Sequence, residues 1–361
     1  MIEPNRDEYR LGLTATRGKR LFIQRIVGGF IAVSIVATVA CSLDGGVSIE
    51  TTDAGSSLPK VVENELGTVR EMMERIPDDL DGAARIDRFY VEDSRYLLIH
   101  VRDVHLYDTF PDPDSIKDVH ENIYRIYFNL ILKLGHRKIY LEGLTRRRVN
   151  LLNSIDRTMA VVRGEDTFTY RPYLCKTNLD ACISFIDFSA IRLRAFSAKA
   201  ETLDVGEREQ LYSLMEEIKD DREHAIRLVE SIKTNPAAYR VVSEGIIHFF
   251  PAEDDSLYAL AEEIFVRRMA GEKIDIDTSL FYDDREDAFI EIIGSHDESL
   301  CIIAFGAAHA WGGKKSCGDS FSLGDRYSER DNIDTWNSAN PDRKISLIEI
   351  TPYRIEEAYT M

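Results

Sequence analysis

The chain has 361 residues, 44% of them hydrophobic and 30% charged, a globular composition with room for one large domain or two small ones. Its 63 acidic residues outnumber 45 basic ones, for a net charge of −18. That balance argues against sequence-independent binding to nucleic acid, which depends on Lys and Arg neutralising phosphates.

The charge is uneven along the chain. Residues 1–41 carry Arg6, Arg10, Arg17, Lys19, Arg20 and Arg25 against three acidic residues, a net of +3, which leaves −21 for the rest. Basic residues ahead of an apolar run follow the positive-inside pattern. The run IVGGFIAVSIVATVAC, Ile26 to Cys41, is uncharged but shorter than the roughly 20 apolar residues of a spanning helix. Adding Leu21–Gln24 lengthens it, although Gln24 and Arg25 interrupt. Residues 1–20 therefore read as a basic cytoplasmic region and 21–41 as a signal or anchor segment. The sequence Thr38-Val-Ala-Cys41 resembles a bacterial lipoprotein cleavage site with Cys41 lipidated, except that Thr38 stands where a large aliphatic residue is usual. A cleaved lipoprotein signal and a retained anchor both remain open. Either one places residues 42–361 outside the cytoplasm, tethered to a membrane of the cell envelope. The other cysteines, Cys175, Cys182, Cys301 and Cys317, are even in number, which in an exported chain permits two disulfides. The short-loop pairings are Cys175–Cys182 and Cys301–Cys317; free thiols are the alternative.

Residues 42–58, rich in Gly, Ser, Thr and Asp, read as a flexible tether. A short helical stretch follows over roughly 59–77, and Ile86 opens a main domain spanning 86–355. A strand is expected at 96–101. Asp114 and Ser115 then offer caps to a helix that carries Ile116, Val119, Ile123, Tyr127, Leu130 and Leu134 and stops at Gly135. A strand at 138–141 completes a βαβ unit, the signature of parallel strands joined by a right-handed crossover. Residues 145–200 are less periodic and read as loops and short strands. A long helix is expected at 206–233, a strand at Tyr239–Val242 and an apolar run at 245–250. Helices at 256–270 and 284–293, a strand at 300–305 and a last strand at 345–350 follow. These elements describe an α/β fold.

Chemistry-bearing residues gather at strand ends. The strand YLLIHVRDVH delivers His105, KIYLEG delivers Glu142, and LCIIAFGAAH delivers His309. In open α/β sheets, ligands and catalytic groups collect at the carboxyl ends of strands. For each histidine alone the plain alternative is a core residue satisfied by hydrogen bonding; three such residues on three strand ends weaken it. Asp103 shares a face with His105 if the strand continues, where it would orient the imidazole or add a ligand. His120, on the first long helix, would face the site from its first turns, whereas His100 reads as structural. Two histidines and a carboxylate form a recognised catalytic metal set with one position open for water. The same residues can also activate water without a metal. Arg285, in DDREDAF, would bind a substrate carboxylate or a developing oxyanion. A surface ion pair with Asp284 or Glu286 is its plain alternative. Gly306 allows close backbone approach, or simply a turn. Trp311 walls a pocket or belongs to the core.

The order of these motifs resembles the Tiki/TraB superfamily, which includes ChaN-like and erythromycin-esterase-like proteins. Its pattern is a strand ending in Gly-x-x-His, a strand ending in Glu, an Arg-bearing helix and a second Gly-x-x-His. The second motif is complete from Gly306 to His309; in the first, Arg102 occupies the Gly position. The resemblance covers roughly residues 90–350. It implies a mixed, largely parallel sheet flanked by helices, with hydrolase-type residues at one sheet edge. Within the superfamily, some members resemble metal-dependent proteases, some open lactone esters, and some bind haem or a peptide. The expectation is a membrane-tethered hydrolase acting on an amide or ester, with a peptide or protein substrate slightly preferred over a small molecule. His105, Glu142 and His309 would hold Zn, Mn or Co or activate water directly, and Arg285 would stabilise negative charge. The alternative is a non-catalytic binding protein for haem or a peptide, with His105 or His309 as axial ligand.

Overall fold

A computed structural model describes residues 66–104, 113–165, 167–274, 283–296, 298–306, 309, 311–312 and 331–355. In chain order these form α1 (Val69–Arg75), β1 (Ala84–Phe89), β2 (Tyr96–Asp103), α2 (Pro113–Leu134) and β3 (Lys138–Thr145). Next come α3 (Arg146–Arg163), α4 (Lys176–Ala200), α5 (Val205–Lys233), α6 (Pro236–Ser243) and β4 (His248–Glu253). The last are α7 (Asp255–Met269), α8 (Asp283–His296), β5 (Leu300–Gly306), α9 (Asn332–Ala339) and β6 (Ile345–Pro352).

The six strands form one mixed sheet in the order β1-β6-β2-β5-β3-β4. All neighbours pair in parallel except β1, which runs antiparallel to β6 at one edge. The βαβ unit is present, with β5 inserted between its two strands. Side chains alternate across the sheet and divide the core in two. On one face Leu97, Ile99, Val101, Ile302 and Ala304 pack with residues of α1, α2, α3 and α6. On the other, Leu98, Tyr140, Ile303, Phe305 and Leu347 pack with Phe289, Ile290 and Ile293 of α8, and with Trp311. Trp311 is therefore core.

Several expectations change. Val69, Met72 and Met73 of α1 are buried in the first core, so the domain begins before Val69 and not at residue 86. A capping box starts this helix: Thr68 Oγ1 accepts from Glu71 N, and the Glu71 carboxylate accepts from Thr68 N. The stretch read as loops and short strands holds two long helices. In α3, Val149, Leu152, Ile155 and Met159 recur at helical spacing, and Gly164 in the left-handed region ends the helix. In α4 the buried stripe includes Asn178, Ser189 and Arg192, which dilutes the apolar periodicity. Tyr239–Val242 is helical, because Asn235 caps α6 through Ala238 N and Pro236 occupies its first turn.

The Cys175–Cys182 disulfide is not formed; both thiols are free and buried. Cys175 caps α4 and Cys182 lies seven residues on, about 10 Å along a helix, whereas a disulfide needs Cα atoms about 4.4–6.8 Å apart. Cys301 is also a buried free thiol. Cys317 and residues 1–41, with Cys41 and the apolar segment, lie outside the described residues. Among the described residues no helix is long and apolar enough to cross a membrane.

Candidate functional site

Three parallel strands bring their carboxyl ends together at the site. β3 pairs with both β4 and β5, with Leu141 opposite Pro251 and Ala304. Glu142 therefore shares the sheet face of Tyr140, the face covered by α8. Immediately after it, Gly143 adopts φ +76° and the β3–β4 register shifts between Leu141 and Thr145. This irregularity separates Glu142 from the regular ladder. β4 ends in Glu253 and β5 in Gly306. α8 contributes Arg285 and Glu286 from its first turn. His309 is held at the end of β5 by a turn in which its N–H donates to Gly306 O at 3.0 Å.

These groups form a continuous buried network. Arg285 Nε donates to Glu253 Oε2 at 3.0 Å, and Nη2 donates to Glu253 Oε1. Nη2 also reaches Glu142 Oε1 at 2.7 Å. Glu142 Oε2 accepts from Gly306 N at 2.5 Å. His309 Nε2 faces Glu142 Oε1 at 3.7 Å, while Nδ1 lies 3.0 Å from Glu286 Oε1. Glu286 and Glu253 are almost wholly buried, whereas the Glu142 side chain is 14% exposed. Burial disfavours a charged His309, as does Arg285, but Glu142 and Glu286 outweigh both and hold its pKa above the ordinary histidine value. Burial likewise opposes the Arg285 charge, and Glu253 and Glu142 more than compensate.

Glu142, Arg285, Gly306 and His309 are thus brought together as expected. His105, the remaining member of the expected set, lies outside the described residues. Asp103 is on the opposite face of the sheet, the side of Leu97, Ile99 and Val101. There it accepts from Val104 N at 2.7 Å and from Asn235 Nδ2. His120 is buried on α2, whose apolar stripe packs on that same opposite face. Arg285 is not in a surface pair: it is buried, and its carboxylate partners are Glu142 and Glu253. Glu253, Glu286 and the cluster around His100 were not singled out from the sequence. Glu253 ends a strand in glutamate just as Glu142 does, and that signal would have found it. His100 Nδ1 lies 2.6 Å from Glu349 Oε2, and Arg102 Nε donates to the same oxygen at 3.4 Å. All three side chains are fully buried. Burial raises the Glu349 pKa, but His100 and Arg102 outweigh it and hold the carboxyl below its ordinary value.

Of the three residues expected to hold a divalent ion, Glu142 and His309 are described and His105 is not. Both Glu142 oxygens are engaged, one by a guanidinium and one by a backbone N–H, and His309 Nδ1 is directed at Glu286. Among the described residues no group of three His, Cys, Asp or Glu side chains gathers as a ligand set. The Arg285 guanidinium supplies positive charge beside Glu142. Comparison of the chain with models of protein families, with curated proteins and with solved structures finds no match.

Proposed function

We propose that the chain is a hydrolase of amide or ester bonds in which Glu142 and His309 act as an acid–base pair without a resident metal. The observation that carries this reading is the position of His309. Its imidazole lies between a buried carboxylate on Nδ1 and a partly exposed one facing Nε2, at the carboxyl edge of parallel strands. An imidazole so flanked is favoured in its protonated form and serves as the acid, and Glu142 serves as the base. Water bound at Glu142 gives up a proton to that carboxylate as its oxygen attacks the carbonyl carbon. When the tetrahedral adduct collapses, the bond to the leaving nitrogen or oxygen breaks, and the leaving atom takes the Nε2 proton of His309. Transfer of the proton from Glu142 to Nε2 restores the starting state. Glu286 keeps the ring oriented throughout.

The motif order supports membership of the Tiki/TraB superfamily as a divergent branch, with a peptide substrate preferred. The basic and apolar stretch at residues 1–41 supports tethering at the outer face of a membrane. The test is full-length protein in detergent, assayed on p-nitrophenyl esters and fluorogenic peptides with and without EDTA. Turnover should survive EDTA and fall by about 100-fold or more in Glu142→Gln and in His309→Gln. Turnover retained in both variants, or none in the wild type, would sink the reading. Loss to EDTA with recovery on Zn, Mn or Co would establish a metal-dependent mechanism instead.

A further inference from the structure

We infer that Glu253 is a positioning residue for this site: its carboxylate fixes both the guanidinium that Glu142 binds and the backbone irregularity that aims Glu142. The inference rests on the reading of Glu142 and His309 as the reacting pair.

Two independent contacts support it. Arg285 directs Nε and Nη2 at Glu253 and shares only Nη2 with Glu142. The two-point fork, the stronger and more directional arrangement, is therefore spent on a residue that is almost wholly buried. From that guanidinium Glu142 accepts the Nη2 bond at 2.7 Å. The second contact is to the backbone: Gly143 N donates to Glu253 Oε1 at 3.3 Å. Gly143 is the left-handed residue where the β3–β4 register shifts. Glu253 thus ties α8 to the turn that sets the direction of Glu142, from a strand adjacent to β3.

A pair needed only for stability would not have to hold the Gly143 amide as well. Without the Glu253 carboxylate, Nε and Nη2 lose the partner that holds them away from Glu142, and the guanidinium turns toward Glu142 with two bonds. That geometry pulls Glu142 Oε1 away from His309 Nε2, now 3.7 Å distant, and loosens the turn behind it. Displacement of a reacting group by about 1 Å is enough to cost on the order of 100-fold in rate.

The experiment compares full-length wild type with Glu253→Gln and Glu253→Asp. Each is followed by kcat and KM for p-nitrophenyl acetate, by thermal melting, and by imidazole ¹⁵N–¹H correlation spectra. The His309 signal is assigned by its loss in His309→Gln. Glu253→Gln should lower kcat by about 10- to 100-fold with KM changed less than about 3-fold, and it should displace the His309 signal although the two residues share no direct contact. Glu253→Asp, which keeps the charge, should recover part of kcat and remains the test if the Gln variant does not fold. A lowered melting temperature with kcat and the His309 signal as in wild type would reduce Glu253 to a structural ion-pair partner and overturn the inference. If the wild type hydrolyses nothing, the hydrolase reading fails, while the His309 signal still decides whether Glu253 positions the site.

Discussion

Glu286→Gln isolates the contact that orients His309. The substitution keeps the size and shape of the side chain and removes its charge. In the native protein Glu286 Oε1 lies 3.0 Å from His309 Nδ1, with both groups buried. A hydrogen bond to a charged partner contributes about 1.5–3 kcal/mol, and a neutral one about 0.5–1.5 kcal/mol. The variant should therefore lose about 1–2 kcal/mol while the imidazole is protonated. The folded-state pKa of His309 is raised. Its contribution to stability is then fully present below the unfolded value of about 6.5 and disappears as pH rises through the folded value. Urea unfolding of wild type and variant at pH 6 and pH 9 should show the larger difference at pH 6. A difference equal at the two pH values, or larger at pH 9, would mean that Glu286 does not hold a charged imidazole, and the assignment of His309 as the acid would fall with it.

Other consequences concern neighbouring groups. At Gly306 a Cβ would stand 3.2 Å from Glu142 Oε2, so Gly306→Ala should displace the carboxylate by a few tenths of an ångström and lower kcat on p-nitrophenyl acetate by roughly 10-fold; undiminished kcat would refute the tight fit. Glu349→Leu removes a buried carboxylate from His100 and Arg102 and should cost about 3–5 kcal/mol at pH 7. The folded Glu349 pKa is depressed, so its contribution is present above the unfolded carboxylate value of about 4.3 and lost as pH falls through the folded value; a cost undiminished at pH 3 in urea melts would contradict this. Burial pushes the Cys182 and Cys301 thiols up to about 12, so a thiol-reactive dye should label neither until the chain unfolds. A Cys175–Cys182 cross-linked peptide in an unreduced digest would contradict the free thiols.

The parts of the site that were legible in the sequence are those fixed by a local rule. Glu142 and His309 each follow an apolar strand, and Arg285 opens a charged helix ahead of β5, so strand-end placement in a parallel sheet was enough to bring them to one edge. Glu253 obeys the same rule, but the preceding helix α6 carries two adjacent valines that read as a strand. The true strand, HFFPAE, reads in the sequence only as an apolar run, which hides its terminal glutamate. Glu286 was legible only as a neighbour of Arg285 in the chain. Consecutive helical residues point about 100° apart, and that rotation carries Glu286 to the Nδ1 side of His309 while Arg285 faces Glu142 and Glu253. The placement of Arg102 has the least local explanation. Its side chain is fully buried and its Nε reaches Glu349, a residue of β6, the last strand in the chain and the neighbour of β2 in the sheet. Its buried guanidinium is thus met by a carboxylate 247 positions away, which no local pattern reveals.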